Sequence, residues 1–367
     1  MNITAAVLET LNSEFTLAQL TLDDPAPDEV VLEIAGVGLC HTDLAVQHGH
    51  LPFPLPGVVG HEGAGTVVAV GSDVTKVAVG DRVTASFNSC GRCTQCTNGS
   101  PAYCSEFMGR NFGGARPDGT STLHHGAQSY GSYFFGQSTF ATHAIARERN
   151  VVKVADGLDL TIAGPLGCGI QTGAGAVMNS LAVADGSSLL ITGGGSVGLS
   201  GVLGAAVRNA ATVIVLEPLA TRRQLALELG ATHVIDPVDG PLAEQVRGIV
   251  PEGVDYALDT TASLQVLEGV LASLAQRGTL GMVGVPSDPT AALAVGLIEM
   301  QARGLSFKGI VEGDSDPDTF IPELVDLHLA GRFPFDKLVT TMPFAKINDA
   351  VAAQARGEAV KVVLVHE

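Results

Sequence analysis

A chain of 367 residues is longer than the ~250–300 residues at which single cores stop growing, so two domains are expected. Hydrophobic residues at 46% and charged ones at 16% describe a compact globular protein without a disordered tract, and a net charge of −18 disfavours nucleic acid as a partner. No continuous apolar run reaches the ~18 residues of a membrane span, and MNITAAVLET has neither the basic nor the apolar region of a secretory leader, so the expected setting is cytoplasmic. In that reducing setting six cysteines read as metal ligands or thiols before they read as disulfides.

From Met1 to about Arg149 the chain is a series of short alternating or apolar runs broken by Gly, Pro, Asn and Asp. ITAAVL, EVVLEIAGVG, GTVVAVG and GDRVTAS predict the strands of a β-rich, barrel-like domain with few helices. Within it SCGRCTQCTNGSPAYC sets Cys90, Cys93, Cys96 and Cys104 at Cys-x-x-Cys-x-x-Cys-x7-Cys spacing. Four thiolates in one loop can close a tetrahedral shell around Zn²⁺ with no position left for substrate, which makes the site structural; an iron–sulfur cluster is the rival occupant.

From about Ala163 the pattern changes to apolar runs separated by helical stretches, with SLLIT, TVIVL, THVID, DYALD and TLGMVG as strands and TRRQLALELG as a helix stopped by Gly230. Buried, non-alternating strands between helices predict a doubly wound parallel sheet, the α/β half of the molecule. SLLIT runs into GGGSVG, where Gly193, Gly195 and Gly198 have the G-x-G-x-x-G spacing and Ser196 and Val197 open the next helix. The glycines allow a tight turn, a close approach of pyrophosphate, and helix-on-strand packing. Glu217, 22 residues beyond Gly195, ends the following strand, where a carboxylate binds ribose hydroxyls and repels a 2′-phosphate, favouring NAD over NADP. Arg222 and Arg223 follow closely and are placed to accommodate a phosphate instead. Beyond Val311 the character is mixed again, ending in KVVLV, so the expected division is 1–165, 166–310, and a return of 311–367 to the first domain.

Cys40, in GVGLCHTD, and Cys168, in GPLGCGIQTG, have no cysteine neighbours, and His61 lies between them in VVGHEGAG. Two thiolates and an imidazole leave a fourth tetrahedral position open to an oxygen ligand. Taken singly, each also suits an ordinary core cysteine or a hydrogen-bonded histidine.

These motifs together resemble the zinc-dependent medium-chain alcohol dehydrogenases, over essentially the whole chain. PGVVGHEGAGTVVAVGSDVTKVAVGDRV is the most specific segment, joined by CHTD, the four-cysteine loop, GCGIQTG and GGGSVG; FFGQSTFATHAIARERNVVKV is most similar to aryl (benzyl) alcohol dehydrogenases. The resemblance implies a GroES-like catalytic domain and a Rossmann domain with the active site between them. It implies catalytic zinc at Cys40, His61 and Cys168 and structural zinc at Cys90, Cys93, Cys96 and Cys104. It also places Asp43 behind His61, Glu62 behind the metal, and Thr42 as acceptor of the alcohol proton. Thr172, Val283 and Val285 match positions around the nicotinamide, and Lys361 one that contacts the pyrophosphate. Ala45 stands where related enzymes often carry a proton-relaying histidine, so the proton leaves through ribose hydroxyls and water, or through His41 or His48.

The implied reaction is hydride transfer between NAD and an aromatic or allylic primary alcohol, with zinc acidifying the alcohol. HLPFPLPG at 50–57, Phe107, Met108 and Phe140 are candidates for an apolar substrate pocket, or else core. The alternatives are a thiol-adduct formaldehyde dehydrogenase of the same fold, disfavoured because no charged group precedes His61 in that segment, and a non-catalytic nucleotide-binding sensor. A homo-oligomer is implied, with a dimer favoured over a tetramer by the long segment from Cys104 to Phe140.

Overall fold

A computed structural model describes residues 1–366. The chain divides into two compact units. The first comprises Met1–Cys168, Asp316–Ala330 and the segment from Asp336 onward; the second comprises Gly169–Ser315 and Gly331–Phe335.

In the first unit the alternating runs form two mainly antiparallel sheets. ITAAVL lies in Asn2–Leu8, which pairs with Phe15–Leu22 in a four-stranded sheet. EVVLEIAGVG forms Glu29–Gly38, the centre of a seven-stranded sheet flanked by Gly63–Val70, His143–Arg147 and the C-terminal strand Lys361–Val365. KVVLV thus returns to the first unit, and its Val363 pairs with Gly38. The register of Glu29–Gly38 on Gly63–Val70 slips between Ile34 and Gly36. A Cβ on Gly36 would stand 2.6 Å from the Thr161 carbonyl oxygen, so only glycine lets the chain pass there.

The second unit holds a six-stranded, all-parallel sheet whose spatial order, with its strands numbered along the chain, is 3-2-1-4-5-6. Ser188–Thr192 is its first strand and Thr212–Leu216 its second, and Leu190, Ile214, Val254, Ala257 and Leu280 are fully or almost fully buried in one core. The helix Ala220–Leu229 stops at Gly230, whose φ of 117° is left-handed and accessible to glycine at little cost. This unit begins at Gly169 and keeps residues 311–315, which the sequence pattern assigned to the return segment. The reason is packing: a Cβ on Gly175 would lie 2.5 Å from the Gly313 carbonyl oxygen, so the two backbones are in contact. Among the described residues no helix is long and apolar enough to cross a membrane.

Candidate active site

The sequence CHTD opens the short helix His41–Gln47 with Cys40 as its N-cap. Asp43 occupies the third helical position, and its Oδ2 accepts the Cys40 amide at 3.0 Å. Its Oδ1 accepts the Gly60 amide at 2.9 Å and lies 3.0 Å from His61 Nδ1. One buried carboxylate therefore ties the helix start to the 60–61 turn and fixes the imidazole, leaving Nε2 as the ring nitrogen available to a ligand. Gly60 makes the turn with φ of 90°, and a Cβ there would stand 2.5 Å from Phe140.

His61 is wholly buried, and its Nε2 has no hydrogen-bond partner. That orphaned nitrogen, the sulfurs of Cys40 and Cys168 and an oxygen of Glu62 lie within 4.8 Å of one another. An unpaired buried ring nitrogen facing two thiols is costly unless a ligand fills the gap. Two sulfurs and a nitrogen fit Zn²⁺ with one position open. A hydrogen bond from Cys168, then Lys361 and His61, hold the Cys40 thiol well below its ordinary pKa despite burial. Burial alone would lower His61, but Asp43 and Cys40 override it and raise the ring well above its ordinary value. A metal entering this cluster must displace protons.

Glu62 packs against Gly38, where any Cβ would fall 1.9 Å from its Oε2. Lys361 donates to both Glu62 oxygens at 2.9 Å and to the Leu39 carbonyl at 3.2 Å. Burial would lower this lysine, but the Glu62 carboxylate, with Cys40, raises it. Lys361, expected at a pyrophosphate, is buried beside the Cys40–His61 cluster, with Glu62 and the Leu39 carbonyl as its acceptors. Thr42 Oγ1 lies 3.7 Å from Cys40 Sγ. Ala45 is buried, while His41 and His48 are exposed at the two ends of the same helix.

Sequence reasoning missed the aromatic enclosure of His61. Phe135 stacks on the ring at 4.5 Å, and Phe134 meets it edge-on at 5.4 Å. Gln137 donates to the His61 carbonyl at 2.9 Å and accepts the Gly63 amide at 3.2 Å. The signal was the cluster YFFGQS itself, whose Tyr133, Phe135 and Ser138 all have positive φ, an arrangement that no hydrophobic periodicity announces. Of the two readings of Phe140, the structure takes core: it is fully buried and packs edge-on against Phe15 at 5.6 Å. Phe107 is half-buried beside Phe87, and Met108 is exposed.

The sulfurs of Cys90, Cys93, Cys96 and Cys104 also lie within 4.8 Å of one another, and Cys90 and Cys96 are 3.9 Å apart. Thiolates about 2.3 Å from a tetrahedral zinc stand about 3.8 Å apart, so the lobe fits the ion. Backbone amides point at the sulfurs, Cys93 N to Cys90 at 3.3 Å and Cys90 N to Cys104 at 3.2 Å. The amides of Cys96 and Ser105 lower Cys93 to about 5, while burial pushes Cys104 up to about 12.

In the second unit the three glycines of GGGSVG differ in what surrounds them. Gly193 has φ of 95°, and a Cβ on Gly198 would fall 1.9 Å from the Gly193 carbonyl oxygen, so turn and helix are in contact. A Cβ on Gly195 would meet nothing within 4 Å, leaving room for a phosphate at the start of the helix Ser196–Val207. Glu217 is buried, accepting the Gly194 amide at 2.6 Å and the Leu219 amide at 2.8 Å. Thr172 donates to Glu312 at 3.2 Å, a carboxylate the sequence reading did not single out. Val283 is half-buried and Val285 exposed.

An open Cys–His–Cys shell suits a metal that meets substrate, and a parallel sheet of this order suits a dinucleotide; both are traits of the zinc-binding dehydrogenases. Residues 26–156 match the alcohol dehydrogenase GroES-like domain and residues 196–329 match the zinc-binding dehydrogenase family. Geraniol dehydrogenase of Castellaniella defragrans is 49% identical over 98% of this chain and 97% of its own. Benzyl alcohol dehydrogenase of Acinetobacter calcoaceticus superposes with a TM-score of 0.97 at 41% identity, covering 100% of both chains. A zinc-binding dehydrogenase of Sinorhizobium meliloti, solved with NADP bound, gives a TM-score of 0.83 at 25% identity, covering 100% of this chain and 99% of its own. The chain belongs to the zinc-dependent medium-chain alcohol dehydrogenases, with a GroES-like and a Rossmann domain.

Proposed function

We propose that this protein interconverts primary alcohols and aldehydes whose carbinol carbon adjoins an aromatic ring or a carbon–carbon double bond, using NAD. The observation that carries the reading is the buried, unpaired Nε2 of His61 facing Cys40 and Cys168. Support for the substrate class comes from two relatives, one named for an allylic alcohol and one for a benzylic alcohol.

Zinc held by Cys40, His61 and Cys168 would supply Lewis acidity to the alcohol oxygen, and the nicotinamide of a dinucleotide would supply the hydride acceptor. Asp43 holds the His61 ring in the orientation that presents Nε2. Thr42, beside Cys40, accepts the hydroxyl proton and passes it toward solvent, with His41 or His48 as the nearest exposed bases on that helix. Glu217 faces the adenosine ribose and opposes a 2′-phosphate. Gly193, Gly195, Ser196, Val197 and Gly198 seat the pyrophosphate. The reading also assigns a second, structural zinc to Cys90, Cys93, Cys96 and Cys104, a homodimer, and a cytoplasmic setting.

Initial rates with benzyl alcohol, geraniol, ethanol, and formaldehyde with a low-molecular-weight thiol, each with NAD or NADP, test the proposal. We expect kcat/KM for benzyl alcohol or geraniol with NAD to exceed that for ethanol by about tenfold or more. Turnover confined to formaldehyde plus thiol would reassign the enzyme. Absence of turnover in zinc-replete protein that still binds NAD would leave a nucleotide-binding scaffold.

A further inference from the structure

Arg222 and Arg223 lie in the first turn of the helix Ala220–Leu229, a few residues beyond Glu217, where a guanidinium can receive the 2′-phosphate of NADP. The structure engages Arg223 with protein acceptors instead. Its Nη1 donates to the carbonyl oxygens of Glu217 and Pro218, each at 2.7 Å, and meets Asp236 Oδ2 at 2.8 Å. Both side chains of the ion pair are 19% exposed, so water screens the bond only in part.

Asp236 is itself held in place. It directly follows the strand His233–Ile235, which pairs in parallel with Thr212–Leu216, and the Glu217 amide donates to the Ile235 carbonyl at 3.1 Å. That register sets Asp236 beside the Glu217–Pro218 turn. Its second oxygen accepts the Val238 amide at 3.2 Å, and its carbonyl accepts from Gln245 at 3.2 Å.

We infer that Asp236 is a coenzyme-specificity residue: it withholds Arg223 from the adenosine ribose, so that a 2′-phosphate meets the Glu217 carboxylate with no guanidinium to offset it. The inference rests on the NAD reading proposed above and identifies a residue that follows a different strand from the one before Glu217 as enforcing it.

Binding to the full chain of ADP-ribose and of 2′-phospho-ADP-ribose, measured by titration calorimetry, tests it without recourse to turnover or zinc content. Asp236→Asn keeps an oxygen for the Val238 amide while removing the charge. It should tighten 2′-phospho-ADP-ribose by about tenfold and leave ADP-ribose within about twofold. Adding Arg223→Gln to that variant should remove most of the gain, and Arg223→Gln alone should leave the ratio of the two affinities unchanged. An unchanged ratio in folded Asp236→Asn, a gain that survives in the double variant, or weaker 2′-phospho-ADP-ribose binding in Arg223→Gln alone would each overturn the inference. A native chain that prefers 2′-phospho-ADP-ribose defeats the NAD reading itself, an outcome visible before any variant is made.

Discussion

Lys361 Nζ stands 2.9 Å from both carboxylate oxygens of Glu62, and the two side chains, 2% and 0% exposed, form an ion pair directly behind Cys40 and His61. Removing one member of such a pair leaves an uncompensated charge in a low-dielectric interior. Lys361→Met should therefore destabilise the protein by about 3–5 kcal/mol, read as a fall in the urea midpoint. Glu62→Gln together with Lys361→Met should recover much of the loss, because no bare charge remains. A single variant within about 1 kcal/mol of the parent would show that the pair is not under the strain of burial.

Asp43 is predicted to act on the metal through His61. Asp43→Asn keeps the side-chain shape but weakens the acceptor at Nδ1 and unbalances the Cys40 and Gly60 amide contacts. Zinc affinity, measured by competition with a chromophoric chelator, should fall by about 10- to 100-fold. Cys40→Ala should abolish alcohol turnover while ADP-ribose binding persists, since the cofactor loop contains neither residue. Substantial residual turnover in Cys40→Ala would remove the cysteine from the reaction.

How much of this was readable in advance depended on how local the determinant was. SLLIT and TVIVL are continuous apolar runs because both faces of their sheet are covered, and Gly230 marks its helix end because the left-handed turn needs it. The four-cysteine lobe is equally legible, since all its ligands fall between Cys90 and Cys104. Cys40, His61 and Cys168 are brought together only by tertiary folding, and no spacing rule links them; resemblance did. Lys361 shows the limit from the other side. Nothing local in KVVLV points to a buried ion pair, because its partner Glu62 is 299 residues away in sequence. Stacking of Phe135 on His61 was likewise hidden, because its left-handed backbone breaks both helical and strand periodicity.

The four-cysteine lobe should be separable from catalysis. Cys93→Ser is expected to lower the zinc content of purified protein by about one ion per chain, as a closed four-thiolate shell loses a ligand. The remaining ion should stay with Cys40, His61 and Cys168, so kcat at low temperature should be retained while thermal inactivation accelerates. Loss of both ions, or unchanged zinc content, would refute two independent sites.

The acid limb of stability should carry the signature of two half-buried histidines. Burial lowers His143 below its ordinary pKa; burial also lowers His366, where the nearby His143 adds to the effect and a bond to the Ala141 carbonyl at 3.1 Å opposes it. A histidine with a depressed folded-state pKa binds fewer protons folded than unfolded, so its contribution to stability is complete above the unfolded value of about 6.5 and is lost as pH falls toward the folded value. Urea unfolding of the zinc-loaded protein at pH 7.5 and at pH 5.5 should therefore show a larger loss for the parent than for His143→Gln/His366→Gln. Removing these groups leaves the other titrating carboxylates and metal ligands in place, so the difference between the two proteins isolates the pair. Equal losses would mean that neither imidazole resists protonation in the folded chain, and a greater loss in the variant would reverse the sign of the linkage.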